Sequence, residues 1–313
     1  MFLLRRFYIL LLFVFCSCLS VRGEEQDSHN PYGAPPSDSS TTEVEETSTT
    51  LDEESSSSSG MPDTKFDVPI DMSTSCKKID FLFIIDNSGS MSDNQENLIA
   101  NYQILIDGII GLTGFDDFHV GVITTDEYSF NAPECSLMGG LVVQTGGTDS
   151  SDRVCGPWVE GNYMTFSEIQ GEDGFACAAQ VGTSGNAVEQ PIRALTSSLG
   201  PFIRSEDQCN EGFFREDAKL VVVIITDEDD ASNGSALNAL AEIEFYKQDL
   251  ENIVVIGLLP SLDGECTNVS GIDIKNFIAH FPYYQIGDVC DEDYGVFLEN
   301  ALGTVEAACK PEG

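Results

Sequence analysis

The sequence predicts an α/β fold: a doubly wound, mostly parallel sheet with helices on both faces. Three observations point to it. Apolar runs of buried-strand type recur at 81–85, 118–123, 219–225 and 253–259, stretches with helical spacing separate them, and two of the runs are followed by an aspartate and a polar loop. Strands that are apolar on both faces suit the middle of a parallel sheet covered from both sides. Polar residues at their carboxyl ends sit where open α/β sheets bind ligands.

Not all of the 313 residues read as foldable. Residues 1–23 carry Arg5 and Arg6, then an apolar core from Phe7 to about Leu19, then small residues. That is a secretory signal peptide, too short for a comfortable membrane span. Phe15-Cys16-Ser17-Cys18 is similar to a bacterial lipobox and would make Cys18 a lipid-bearing membrane tether. Val21-Arg22-Gly23, before Glu24, would serve instead as an ordinary cleavage site. Either exit predicts an exported chain, held at the cell surface or outer membrane as a lipoprotein, or secreted. Residues 24–70 are expected to be a disordered Ser/Thr/Glu-rich linker, since they hold too few aliphatics to offset the entropy of ordering. Residues 71–313 are expected to fold as one domain, with an insertion at about 127–181.

Acidic residues number 53 against 14 basic ones, a net charge of −39. Nucleic acid is excluded as a partner, because its backbone demands Lys and Arg. Of the ten cysteines, eight fall in the folded part. An even number, an export signal and no C-x-x-C pair favour disulfides over zinc. Cys76 lies just before the first strand and Cys309 near the chain end, so a bridge between them is expected to close the domain. Cys266 with Cys290 is the second expected pair. Cys135, Cys155, Cys177 and Cys209 leave three pairings open.

In chain order, the run from Asp80 to Ile85 is a strand ending in Asp86-Asn87-Ser88-Gly89-Ser90. Ser92 and Gln95 then read as a capping box opening a helix through Leu98, Tyr102, Leu105 and Ile109. Residues 118–126 form the next strand, and 139–144 is expected to pair antiparallel with it at the sheet edge. The Gly-, Ser- and Asp-rich text of 145–181 has no period and reads as irregular. Gly182-Thr183-Ser184-Gly185-Asn186 is a loop introducing a helix over 187–199, with Pro191 in its first turn. The strongest strand, 219–225, ends in Thr226-Asp227-Glu228-Asp229-Asp230. A helix over 236–250, a strand over 253–259, a short helix over 274–281, a short strand over 284–286 and a closing helix over 294–309 complete the alternation.

Two buried strands thus end in Asp86 and Asp227, with a Gly-Thr-Ser-Gly loop between them in sequence. If the strands are neighbours at the switch point of the sheet, three loops converge and supply Asp86, Ser88, Ser90, Thr183 and Asp227. Two carboxylates and three hydroxyls are a hard-oxygen set suited to a divalent cation. A dication held largely by neutral hydroxyls stays electrophilic and leaves a position for an outside carboxylate. Mg²⁺ is the ion expected first, with Mn²⁺ or Ca²⁺ as alternatives.

Asp86-x-Ser88-x-Ser90, then Thr183, then Asp227 after Ile-Thr resembles the von Willebrand factor type A domain with a complete metal-ion-dependent adhesion site. The likeness covers roughly residues 76–310. It implies that Ser88 and Ser90 bind the metal directly, Thr183 directly or through water, and Asp86 and Asp227 mainly through water. Asp-Asn-Ser-Gly-Ser-Met, Thr-Thr-Asp, Glu-Gln-Pro and Asp-Glu-Asp-Asp further resemble exported bacterial lipoproteins of this family. Two departures stand out: the long cysteine-bearing insertion before Thr183, and Glu228 where the family usually has glycine.

The expected function is an exported or surface-tethered adhesion module that captures a protein ligand's acidic side chain through the bound cation. The rival is a structural subunit of an envelope complex in which the metal only stabilises the loops. An enzyme is not expected: only His29, His119 and His280 could serve as imidazole bases, and no G-x-S-x-G, P-loop or H-E-x-x-H is present.

Overall fold

The structure, a computed structural model, describes residues 76–113, 117–169, 174–261, 267 and 269–310. The signal peptide, Cys18, the linker and Cys266 lie outside these residues.

Five parallel strands form one sheet: β1 (Ile79–Ile85), β2 (Phe118–Thr124), β3 (Lys219–Ile225), β4 (Ile253–Leu259) and β5 (Tyr283–Asp288), in the order β2-β1-β3-β4-β5. The chain leaves β1 towards β2, then returns past β1 to build β3, β4 and β5 on its other side. The switch point therefore lies between β1 and β3, whose last residues, Ile85 and Ile225, are paired in register.

Alternation of side chains about the sheet makes two cores. Phe81, Phe83 and Ile85 face helices α1 (Ser92–Thr113) and α7 (Gly295–Cys309), meeting Leu98, Tyr102, Leu298 and Val305. Leu82 and Ile84 face the opposite layer, where α4 (Pro191–Ser198), α5 (Ala236–Lys247) and α6 (Ile272–Ile278) supply Leu195, Ile243 and Phe277. Each fully buried Phe or Leu is worth roughly 1.5–3 kcal/mol, so a strand with both faces covered is fixed in place. Polar groups at its end are fixed with it.

Several elements differ from expectation. Residues 139–144 are not a strand. Val142 N–H donates to Val122 O at 2.8 Å, but the buried Asn131 carboxamide oxygen then takes the N–H groups of Val143 and Gln144, which bends the chain off the sheet edge. The insertion contains two short helices, α2 (Phe166–Ile169) and α3 (Gly174–Ala179), and it enters the core: Phe175 stacks on Tyr102 with ring centroids 4.2 Å apart. Helix α4 begins at Pro191, not at 187. Gln190, the residue before proline, takes φ −133°, away from helical geometry.

Cys76 is bonded to Cys309, Cys135 to Cys209 and Cys155 to Cys177. Cys290 is also disulfide-bonded. Such bonds mark a chain that folds in an oxidising compartment. Among the described residues no helix is long and apolar enough to cross a membrane.

Candidate metal centre

The site is assembled from three loops at the switch point. The first follows β1. Asp86 is fully buried and turns its carboxylate back on its own loop: Oδ1 accepts the Ser88 N–H at 2.7 Å, and Oδ2 accepts the Thr226 hydroxyl at 2.6 Å. The Asp86 N–H donates to Ile225 O at 3.0 Å, which carries the β1–β3 pairing one residue further. Asp227, in the loop after β3, is close enough for its charge to raise the Asp86 pKa, although burial is the larger cause.

The second loop, 182–186, reaches the first through backbone. Gly185 N–H donates to Asn87 O at 2.8 Å, and a Cβ on Gly185 would lie 2.4 Å from the Asn87 side chain, so only glycine lets the loops lie this close. Gly182, at φ +83°, turns the chain beneath the Thr148 carbonyl. The Thr183 hydroxyl donates to Asp149 Oδ2 at 2.9 Å. Thr183 and Asp227 are half-buried, Ser88 is buried and Ser90 is exposed, so the cluster opens to solvent on one side.

The capping-box expectation for Ser92 and Gln95 is corrected. Ser92 is the first residue of α1, and Gln95 is buried among the loops. Its amide nitrogen donates to Asp86 O and Gly182 O, both at 2.9 Å, and its oxygen accepts Gly182 N–H at 3.0 Å. Buried backbone groups require partners, and this side chain satisfies three of them. Nothing in the sequence separates such a strut from a cap.

Glu189 is a second supporting residue that the sequence does not single out. It is fully buried, accepts the Thr125 hydroxyl, and its pKa is pushed well above the ordinary carboxylate range by burial first and by the charge of Asp86 second. Asp126 holds the other side, accepting Asn87 Nδ2 at 3.1 Å and Asn186 N–H at 2.8 Å. A cleft of about 470 Å³ opens beside the loops, lined among others by Asn87, Phe130, Gly185, Gln190 and Arg193.

Four buried side-chain atoms among the described residues have no hydrogen-bond partner: Asn87 Oδ1, Ser88 Oγ, Glu189 Oε1 and Asp227 Oδ1. Three belong to these loops, and Glu189 follows the second of them closely. Two of them, Ser88 Oγ and Asp227 Oδ1, are in the expected ligand set. Buried polar atoms are nearly always partnered, so the donor set fits a bound cation. No three His, Cys, Asp or Glu side chains cluster as metal ligands among the described residues. A site of two carboxylates and three hydroxyls is not of that kind.

No family model and no curated protein matches the chain. Solved structures of proximal thread matrix protein 1 from the mussel byssus do align with it. One structure, described as crystal form 2, gives a TM-score of 0.42 at 11% identity, and a second gives 0.37 at 14%. A third, described as having a zinc-occupied MIDAS motif, gives 0.37 at 15%. The alignments cover 74–75% of this chain and 48% of the other, so the chain spans about half the length of the structures it matches. Likeness at this level transfers no residue roles. What the chain's own geometry defines is a doubly wound α/β domain with a polar three-loop site at its switch point.

Proposed function

We propose that the chain is an exported metal-dependent binding module of von Willebrand A type, which captures an acidic side chain of a protein partner. The observation that carries this reading is that Ser88 Oγ and Asp227 Oδ1 are two of the four buried, unpartnered side-chain atoms among the described residues, and that all four lie in or beside the three loops. Ser88, Ser90 and Thr183 would hold a divalent cation, Mg²⁺ first and Mn²⁺ or Ca²⁺ after it, with Asp86 and Asp227 acting through water. The bound ion supplies a Lewis-acidic position for an outside oxygen ligand. Asp86 Oδ1 and Oδ2 each accept one hydrogen bond, from Ser88 and Thr226, which ties the carboxylate to the loops and favours a role through water. The cleft beside the loops offers room for the residues flanking the partner's carboxylate.

The loops are already pinned by Gln95, Thr226 and Gly185. This favours capture of a partner over the rival in which the metal serves only to stiffen them. His119 stands near the start of β2, at the end of the sheet opposite the loops, with Nδ1 on Phe213 O at 2.8 Å. A lipid at Cys18 would hold the module at a membrane surface.

The test is capture of partners from an envelope extract in magnesium and in chelator, with the wild type and Ser88→Ala. Magnesium-dependent capture by the wild type alone is expected. Equal capture in chelator overturns the reading.

A further inference from the structure

The long insertion brings a carboxylate to the site that the five-residue set does not contain. Asp149 lies on the insertion and sits on Thr183: its Oδ2 accepts the Thr183 hydroxyl at 2.9 Å. A hydroxyl has one hydrogen and two lone pairs. The Thr148 carbonyl is the competing acceptor, at 3.4 Å, so the shorter, charged partner takes the hydrogen. With the hydrogen committed to Asp149, the lone pairs of the Thr183 oxygen are left for a cation, and the carboxylate makes that oxygen a better donor.

The local backbone is held for this contact. Asp149 adopts φ +59°, a left-handed conformation uncommon outside glycine. Aspartate is one of the few side chains that enters this region readily, so the residue suits the turn. Here the surroundings are specific. Gln180 Nε2 donates to Asp149 O at 3.1 Å, Thr183 N–H to Thr148 O at 2.8 Å, and Thr148 N–H to Ser184 Oγ at 2.9 Å. Ser151 N–H donates to Gln180 O at 3.0 Å. The Cys155–Cys177 bond links the stretch of chain leaving Asp149 to the helix leading into Thr183.

We propose that Asp149 is a positioning residue for the cation, acting through Thr183 and raising the site's affinity for divalent ions. The inference rests on the metal-site reading above. On this account the insertion supplies, from outside the sheet, a negative charge one hydrogen bond away from the ion.

The test is calorimetric titration of Mg²⁺ and of Mn²⁺ into the purified chain, with thermal melting in chelator alongside. Asp149→Ala is expected to weaken both ions by about tenfold or more, the usual size of an outer-shell effect. Asp149→Asn, which tolerates the left-handed backbone and still offers an oxygen, should fall between it and the wild type. Asp152→Ala, on the same insertion and also at positive φ, should bind as the wild type does. In a Thr183→Val background, Asp149→Ala should cause no further loss. Wild-type affinity in Asp149→Asn and Asp149→Ala overturns the proposal, as does an undiminished loss in the Thr183→Val background. Should Asp149→Ala melt before titration, Asp149→Asn decides alone. A wild type that binds neither ion overturns the metal-site reading itself, an outcome distinct from a bound ion indifferent to Asp149.

Discussion

The carboxamide of Gln95 closes on the peptide groups of Gly182 from both sides, donating to its carbonyl at 2.9 Å and accepting its N–H at 3.0 Å. One side chain on α1 thereby locks the loop that carries Thr183 to the loop that carries Ser88. Gln95→Ala would leave three buried backbone groups unpaired. It is expected to cost about 2–4 kcal/mol, read from denaturant unfolding in chelator, and to lower ion affinity as well. Ser92→Ala, at the position where the sequence predicts a cap, should cost much less. Equal losses would restore the capping box.

Glu189 sets a pH dependence. Its folded-state pKa is raised by burial and by Asp86, so the folded chain binds a proton that the unfolded chain gives up. The stability this contributes is complete below the ordinary carboxylate range and is lost as pH rises through the higher folded value. In chelator, the stability advantage of the wild type over Glu189→Gln should therefore shrink as pH rises above the ordinary carboxylate range. Parallel pH profiles for the two proteins would refute this.

His119 acts in the opposite sense at the sheet edge. Burial lowers its pKa to about 4, and the ring packs on Tyr163 with centroids 4.1 Å apart. Although Nδ1 lies 3.8 Å from Asp80, the two are not an ion pair at neutral pH. Asp80 is engaged by Arg215 at 2.7 Å, and desolvation keeps the ring neutral. Between the unfolded value near 6.5 and about 4, only the unfolded chain takes up the proton. Stability from this group is lost as pH falls through that window. Asp80, itself raised to about 6 by burial, titrates oppositely. The quantity to measure is therefore the difference between wild type and His119→Gln, which should shrink from pH 7 to pH 4.5.

Salt distinguishes the kind of partner. A chain of charge −39 repels an acidic ligand at long range, and at physiological ionic strength that field decays over about 8 Å. Magnesium-dependent capture should hold or improve as salt rises moderately. A steep fall would indicate a cationic partner held by surface acids.

The sheet and its two aspartates are legible in the sequence because each central strand is a continuous apolar run broken by a polar loop, a pattern that owes nothing to distant residues. Asp86 and Asp227 fall side by side as soon as their strands are neighbours. The supporting residues are not legible in that way. Gln95 lies on a helix face, Glu189 precedes an ordinary Gln-Pro, and Asp149 sits in text without period; each takes its role from a partner dozens of residues away. For the same reason 139–144 reads as a strand: its Leu-Val-Val run is of strand type, but Asn131 claims the amides that would have continued the ladder. Pro191 does stand in the first turn of its helix, and that turn starts four residues later than the apolar spacing predicts.

The Cys76–Cys309 bond joins the two ends of the folded part, with Cα atoms 4.9 Å apart. Cys76 enters β1 at the end opposite the three loops, roughly 20 Å away along seven extended residues. A tug between a captured partner and the chain ahead of Cys76 therefore runs along the strand axis. It loads the ladders of β1 with β2 and β3 in shear, all rungs together, instead of peeling them one at a time. Because the crosslink would pass part of that tension directly to α7, the closing helix would share the strain with β1.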